Sequence, residues 1–150
     1  MDVPVEGQRE LLNRDFESTL ESVDEAEAAI IGAGEREGFD EDDLHKIGMA
    51  VRECMVNAVV HGNRYNVNKR VHVMLTYGQE SLTVRIADQG EGFEPSDVPD
   101  PLAEENLLRH SGRGVFLIRA FMDEVHFRKL TPFGTEVTLV KKKSVEGANT

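Results

Sequence analysis

Val51-Arg-Glu-Cys-Met-Val-Asn-Ala-Val-Val-His-Gly-Asn63 is the stretch on which the reading of the chain turns. Leu44, Ile47, Val51, Cys54, Met55 and Ala58 recur at helical spacing and form one apolar face. The pattern predicts a helix from about Asp40 to His61, stopped by Gly62 and Asn63. Glu53 and Asn57 lie four residues apart, one above the other. At ~100° per residue they fall on a flank of the apolar face. A carboxylate and a carboxamide are thus held together at the edge of a core, on a rigid element. Such a pair suits holding a hydrated cation and orienting a nucleophile. Taken alone, it is more often a solvated polar stripe. Met49, Val56 and Val60 lie near Glu53, opposite the main apolar face. They call for cover of their own, for which burial under the N-terminal segment is the simplest source.

Upstream of this helix, Leu11 to Thr19 reads as an edge strand. Ser22-Val-Asp-Glu25 has the form of a capping box, and Val23, Ala26, Ala29, Ile30 and Ala33 give a helical stripe ending at Gly38. Asp40-Glu-Asp-Asp43 places negative charge where the helix dipole favours it. Downstream, Val71 to Tyr77 and Leu82 to Ala87 alternate apolar and polar residues around Gly78-Gln-Glu-Ser81, a β-hairpin pattern. Glu94 to His110 holds three prolines and no clear period. At ~17 residues it is longer than an ordinary connection, as functional lids and disordered loops are. A helix is expected over Val115 to Met122, then a second hairpin from Glu124 to Leu130 and Thr135 to Lys141. The order β-α-α-β-β-α-β-β predicts an α+β fold: a two-layer sandwich with a mostly antiparallel sheet and helices on one face. The length suits one domain over residues 1–150, with a core of about 11–143.

Two glycine-rich turns sharpen the picture. Asp88-Gln-Gly-Glu-Gly92 ends a strand. Its glycines permit close backbone approach to a ligand, and Asp88 can accept a hydrogen bond from an exocyclic amine. A plain turn has the same composition. Ser111-Gly-Arg-Gly114 opens a helix, where free N–H groups form an anion site and Arg113 adds a donor. A plain N-cap after a flexible linker has that form too. The chain lacks a Walker-type phosphate loop and a dinucleotide-binding fingerprint.

Composition narrows the function further. Hydrophobic residues are 39% and charged residues 30%, as in ordinary globular proteins. A net charge of −11 offers no footprint for nucleic acid or an anionic membrane, and suits a basic or locally basic protein partner. No apolar run reaches the length of a membrane span and no signal peptide opens the chain. The single cysteine, Cys54, excludes an internal disulfide, and the cytoplasm is the expected compartment.

Taken in order, the helical Glu/Asn pair, the Asp-x-Gly-x-Gly turn, the long loop, Gly-x-Gly before a helix and Gly-Thr before the last strand resemble the ATP-binding (Bergerat-type) fold of gyrase, Hsp90, histidine kinases and MutL. Within that superfamily the chain is most similar to the bacterial anti-sigma-factor serine/threonine kinases. The phrases that carry the likeness are Glu53-Cys-Met-Val-Asn-Ala58 with His61-Gly62-Asn63, Asp88-Gln-Gly-Glu-Gly-Phe93, and Gly112-Arg-Gly-Val-Phe-Leu-Ile118 with Met122-Asp-Glu-Val125. The resemblance implies ATP and Mg2+ as ligands, with Asn57 on the metal and Glu53 as general base. It implies Asp88 on the adenine amine, with Gly90, Gly92 and Thr135 nearby. Ser111, Gly112, Arg113, Gly114 and Val115 would cradle phosphates, and residues 94–110 would form the lid. His61 and Asn63 close the motif without an assigned role. The implied activity is ATP-dependent phosphorylation of an antagonist protein, combined with sequestration of a sigma factor. Family members are often dimers, so a homodimer is compatible. The competing expectation is a non-catalytic ATP-binding module that regulates through interaction alone. A histidine-kinase reading with His45 as acceptor fails, because His45 and Glu53 share one helix ~12 Å apart along its axis.

Overall fold

The computed structural model describes residues 7–90 and 114–144. Strand β1 (Arg9–Glu17) leads into helices α1 (Leu20–Arg36) and α2 (Glu41–Val56). A π-helical segment (Asn57–Gly62) continues α2, and β2 (Arg70–Gly78) and β3 (Ser81–Ala87) follow as a hairpin. Helix α3 (Gly114–Phe121) precedes a second hairpin, β4 (Glu124–Lys129) and β5 (Thr135–Lys142). The five strands form one sheet in the order β1-β2-β3-β5-β4, every neighbouring pair antiparallel.

Alternation along the strands builds the two layers. Phe16, Val71, Val73, Leu75, Leu82, Val84, Ile86, Val137 and Leu139 point inward to meet Val23, Ile30, Ile47, Val51, Met55 and Ile118 of the helices. His72, Arg85, Thr138 and His126 on the opposite face keep partial or full access to solvent. The expected α+β sandwich is therefore the observed one. No helix among the described residues is long and apolar enough to cross a membrane.

Two local expectations need correction. Thr19, not Ser22, caps α1: its hydroxyl accepts from the Ser22 backbone N–H at 3.2 Å and the helix starts at Leu20. The chain turns out of the sheet earlier because the Ser18 hydroxyl donates to the Lys69 carbonyl at 2.6 Å, leaving Thr19 extended and ready to cap. The second correction concerns the long helix. Its α-helical part stops at Val56, and Asn57–Gly62 is wound more widely, with the Asn63 N–H reaching back to the Ala58 carbonyl at 2.8 Å. Single π turns of this kind are uncommon and occur often at functional sites.

The N-terminus of α2 is tied to the end of β5. Asp40 caps the helix by accepting from Asp43 N–H at 2.8 Å. The buried Asp43 carboxylate in turn accepts from Ser144 N–H and Oγ–H at 3.1 and 2.8 Å and faces the buried Lys141 ammonium at 3.8 Å. Removing Asp43 leaves the buried Lys141 ammonium with Asp123, at 3.9 Å, as its remaining ion-pair partner among the described residues. Asp43→Ala is expected to lower stability by about 3 kcal/mol in urea denaturation followed by circular dichroism. A loss within error would show that the cluster holds nothing in place.

Candidate nucleotide site

Glu53 and Asn57 emerge on the same flank of α2, both half-buried, where the helix gives way to the π segment. Burial pushes the Glu53 carboxyl above its ordinary value. Asn57 Oδ1 is buried without a hydrogen-bond partner among the described residues. Buried polar atoms are nearly always paired, so an oxygen in this state is suited to a ligand. Among the described residues no group of three His, Cys, Asp or Glu is placed to hold a metal. A cation here would use few protein ligands, as Mg2+ does when it keeps waters and phosphate oxygens. Neighbouring Cys54 points into the core, where burial pushes its thiol up and keeps it inert.

The same segment ends against Asp88. A Cβ on Gly62 would collide with the Asp88 carboxylate, so only glycine lets the π segment approach it. Gly90 packs on the Gly62 carbonyl, where a Cβ would stand 2.5 Å from the oxygen. Gly134, at φ 110°, packs on the Asp88 carbonyl equally closely. Asp88 Oδ1 accepts from Gly90 N–H at 2.9 Å and Thr135 N–H at 3.2 Å, and Asp88 N–H donates to the Thr135 carbonyl at 2.9 Å. Burial dominates and raises the Asp88 carboxyl above its ordinary value; the two N–H bonds and the Lys69 charge offset part of the rise.

Asn63 joins the two halves. Its side chain, 1% exposed, donates from Nδ2 to Ser18 Oγ at 2.9 Å and to the Arg70 carbonyl at 3.0 Å. Its Oδ1 accepts from Gln89 N–H at 2.7 Å, and Gln89 Oε1 accepts from Arg70 N–H at 2.5 Å. The residue that stops the helix thus also fixes the turn that carries Asp88 and Gly90.

The structure therefore brings Glu53 and Asn57 onto one flank and Asp88, Gly90 and Thr135 into one hydrogen-bonded cluster. Gly114 stands at the start of α3, which packs on α2, and Val115 follows in that helix. Gly92, Ser111, Gly112, Arg113 and the lid at 94–110 lie outside the described residues. Gly62, Asn63 and Gly134 are part of the arrangement; the family likeness includes them in its motifs, but their local sequence gives them no role beyond helix stop and turn. Val56 and Val60 pack partly against the core, whereas Met49 stays 40% exposed. Burial under the N-terminal segment is thus not what covers Met49 among the described residues.

An antiparallel sheet under a helix with this polar flank, joined to a glycine-lined aspartate, is the arrangement expected of an ATP-binding α+β domain. The family model for the histidine kinase-like ATPase domain matches residues 16–141. The serine-protein kinase RsbW of Oceanobacillus iheyensis is 32% identical over 113 residues, 70% of each chain. The anti-sigma F factor of Bacillus subtilis is 30% identical over 105 residues, 69% of this chain and 72% of that one. The RsbU and RsbW domains of Rv1364c from Mycobacterium tuberculosis share the fold at a TM-score of 0.66 and 19% identity. That match covers 89% of this chain and 32% of the larger structure. The chain belongs to the histidine kinase-like ATPase domain family, in its group of anti-sigma-factor serine/threonine kinases.

Asp88 gives a pH test. Its folded-state pKa lies above the unfolded one, so its contribution to stability is fully present below the unfolded value. That contribution is lost as pH rises through the folded value. Asp88→Asn keeps an oxygen for the Gly90 and Thr135 N–H groups and carries no charge. Its stability relative to the parent is expected to rise between pH 4 and pH 7 in denaturant titrations. A relative stability that stays flat or falls over this range would contradict the burial of an ionised carboxylate.

Proposed function

We propose that this chain is an ATP-dependent serine/threonine protein kinase and anti-sigma factor. It phosphorylates an antagonist protein in a partner-switching system. The observation that carries the reading is the pairing on α2: a carboxyl with raised proton affinity one turn before a buried amide oxygen that lacks a partner. The curated relatives, named serine-protein kinase and anti-sigma F factor, support it.

In this reading Asp88 accepts a hydrogen bond from the adenine amine, and Gly90, Gly92 and Thr135 border the base. Asn57 Oδ1 would be the protein ligand of Mg2+, and Ser111, Gly112, Arg113, Gly114 and Val115 would hold the phosphates. When bound, Mg2+ supplies neutralisation of the triphosphate charge, the main requirement of phosphoryl transfer. Glu53 removes the proton from the attacking serine or threonine hydroxyl. Its desolvated position raises its basicity toward that task, since a carboxylate at its ordinary pKa is a weak base near neutrality. The likeness to an anti-sigma F factor supports sequestration of a sigma factor, and phosphorylation of the antagonist biases which partner is held. A homodimer is compatible with this scheme.

Glu53→Gln is expected to lower phosphoryl transfer by at least ~100-fold while leaving the Kd for Mg·ATP within about threefold of the parent. Asn57→Ala is expected to weaken Mg·ATP itself, read by calorimetry with and without the metal. Undiminished transfer in Glu53→Gln would remove the general base from the scheme. Tight nucleotide binding by the parent without transfer to any antagonist would favour the non-catalytic module instead.

A further inference from the structure

The segment from Arg64 to the start of β2 is locally basic. Arg64-Tyr-Asn-Val-Asn-Lys-Arg70 holds three cations and no acid, in a protein of net charge −11. Tyr65 is 48% exposed and Val67 81% exposed, and Leu20, two residues beyond the Ser18 that anchors this loop, is 52% exposed. Arg70 faces Glu17 at 3.8 Å, whereas Arg64 and Lys69 make no ion pair with a described residue. The loop also lies at the rim of the nucleotide site, because Asn63 and Arg70 both hold Gln89.

Its backbone is strained. Arg64 and Tyr65 are consecutive left-handed residues at φ 52° and 58°. A helix is usually stopped by glycine in this conformation, and a bulky residue there is costly. Gln79 and Glu80 share these angles, but they form the tight β2–β3 turn, where the hairpin requires them. No hairpin requires them at Arg64 and Tyr65. Strain of this kind collects at sites of recognition, and tyrosine and arginine are the side chains that anchor interfaces most often.

We propose that loop 64–70 is a docking surface for an acidic, partly apolar segment of the protein that receives the phosphoryl group. The identity of that partner rests on the kinase reading; the surface itself rests on the loop. Cations steer an acidic segment toward the site, and Tyr65, Val67 and Leu20 take its apolar side chains. The position beside Gln89 and Gly90 brings such a segment next to the bound nucleotide.

The test uses the full chain, labelled with 15N, and the peptide acetyl-Glu-Glu-Leu-Ser-Leu-Glu-Glu-amide, with a lysine-for-glutamate peptide and a 20-base DNA strand as the other probes. The acidic peptide is expected to shift the amides of residues 64–70, and the basic peptide to leave them unmoved. Arg64→Glu combined with Val67→Glu is expected to weaken the acidic peptide at least tenfold while Mg·ATP binding stays unchanged. Tyr65→Asn, which suits the left-handed conformation better, is expected to raise the melting temperature and weaken the peptide. Peptide shifts elsewhere, or an affinity unmoved by the double variant, would overturn the proposal. So would a lower melting temperature for Tyr65→Asn, or DNA binding to the loop while the acidic peptide does not. Failure of the parent to bind Mg·ATP would remove the kinase reading and leave the peptide result standing.

Discussion

A single buried carboxamide sets the geometry on which the rest depends. Asn63 spends its side chain on Ser18, Arg70 and Gln89, which belong to the exit of β1, the start of β2 and the turn after β3. A polar group this deeply buried is stable only when it is paired, and pairing it requires all three segments to be in place at once. Gly62 lies one residue before it, and the absence of a side chain there lets the π segment rest on Asp88. The flank carrying Glu53 and Asn57 and the cluster around Asp88 are therefore two ends of one continuous path of packed and hydrogen-bonded residues.

That path explains why two carboxyl groups can be kept in costly surroundings. Glu53 and Asp88 are both pushed toward protonation by burial. A fold built only for stability would put such groups in water. Here the cost is tolerated because the core is anchored elsewhere: Asp43 and Lys141 join the start of α2 to the end of β5, and the apolar faces of α1, α2 and the sheet close over one another. Functional sites are where perturbed proton affinities are expected to collect.

The fold was legible where the signal was local. The helical spacing of Leu44, Ile47, Val51, Cys54 and Met55 and the alternation in the first hairpin produced the right elements, and Glu53 and Asn57 came out on one flank because the period of a helix is fixed. The pairing of Asp88 with Thr135 was legible only through the family likeness, since 47 residues separate them. The π segment left no mark: Asn57–Gly62 contains no proline, and its interior carries no unusual residue. Thr19 and Ser22 are both good caps by type, and the choice between them is made by Ser18 bonding to Lys69, 51 residues away. Asn63 reads locally as a helix stop, and its bonds to Ser18 and Gln89 reach segments 45 and 26 residues away.

The most direct measurement follows backbone and side-chain amides of the 15N-labelled chain by NMR while Mg·ATP is added. If one continuous path joins the two halves, signals from Ala58–Asn63, including the Asn63 side-chain NH2, move with the same saturation curve as those from Asp88–Gly90 and Gly134–Thr135. Movement confined to one half, or two curves with different midpoints, would contradict it.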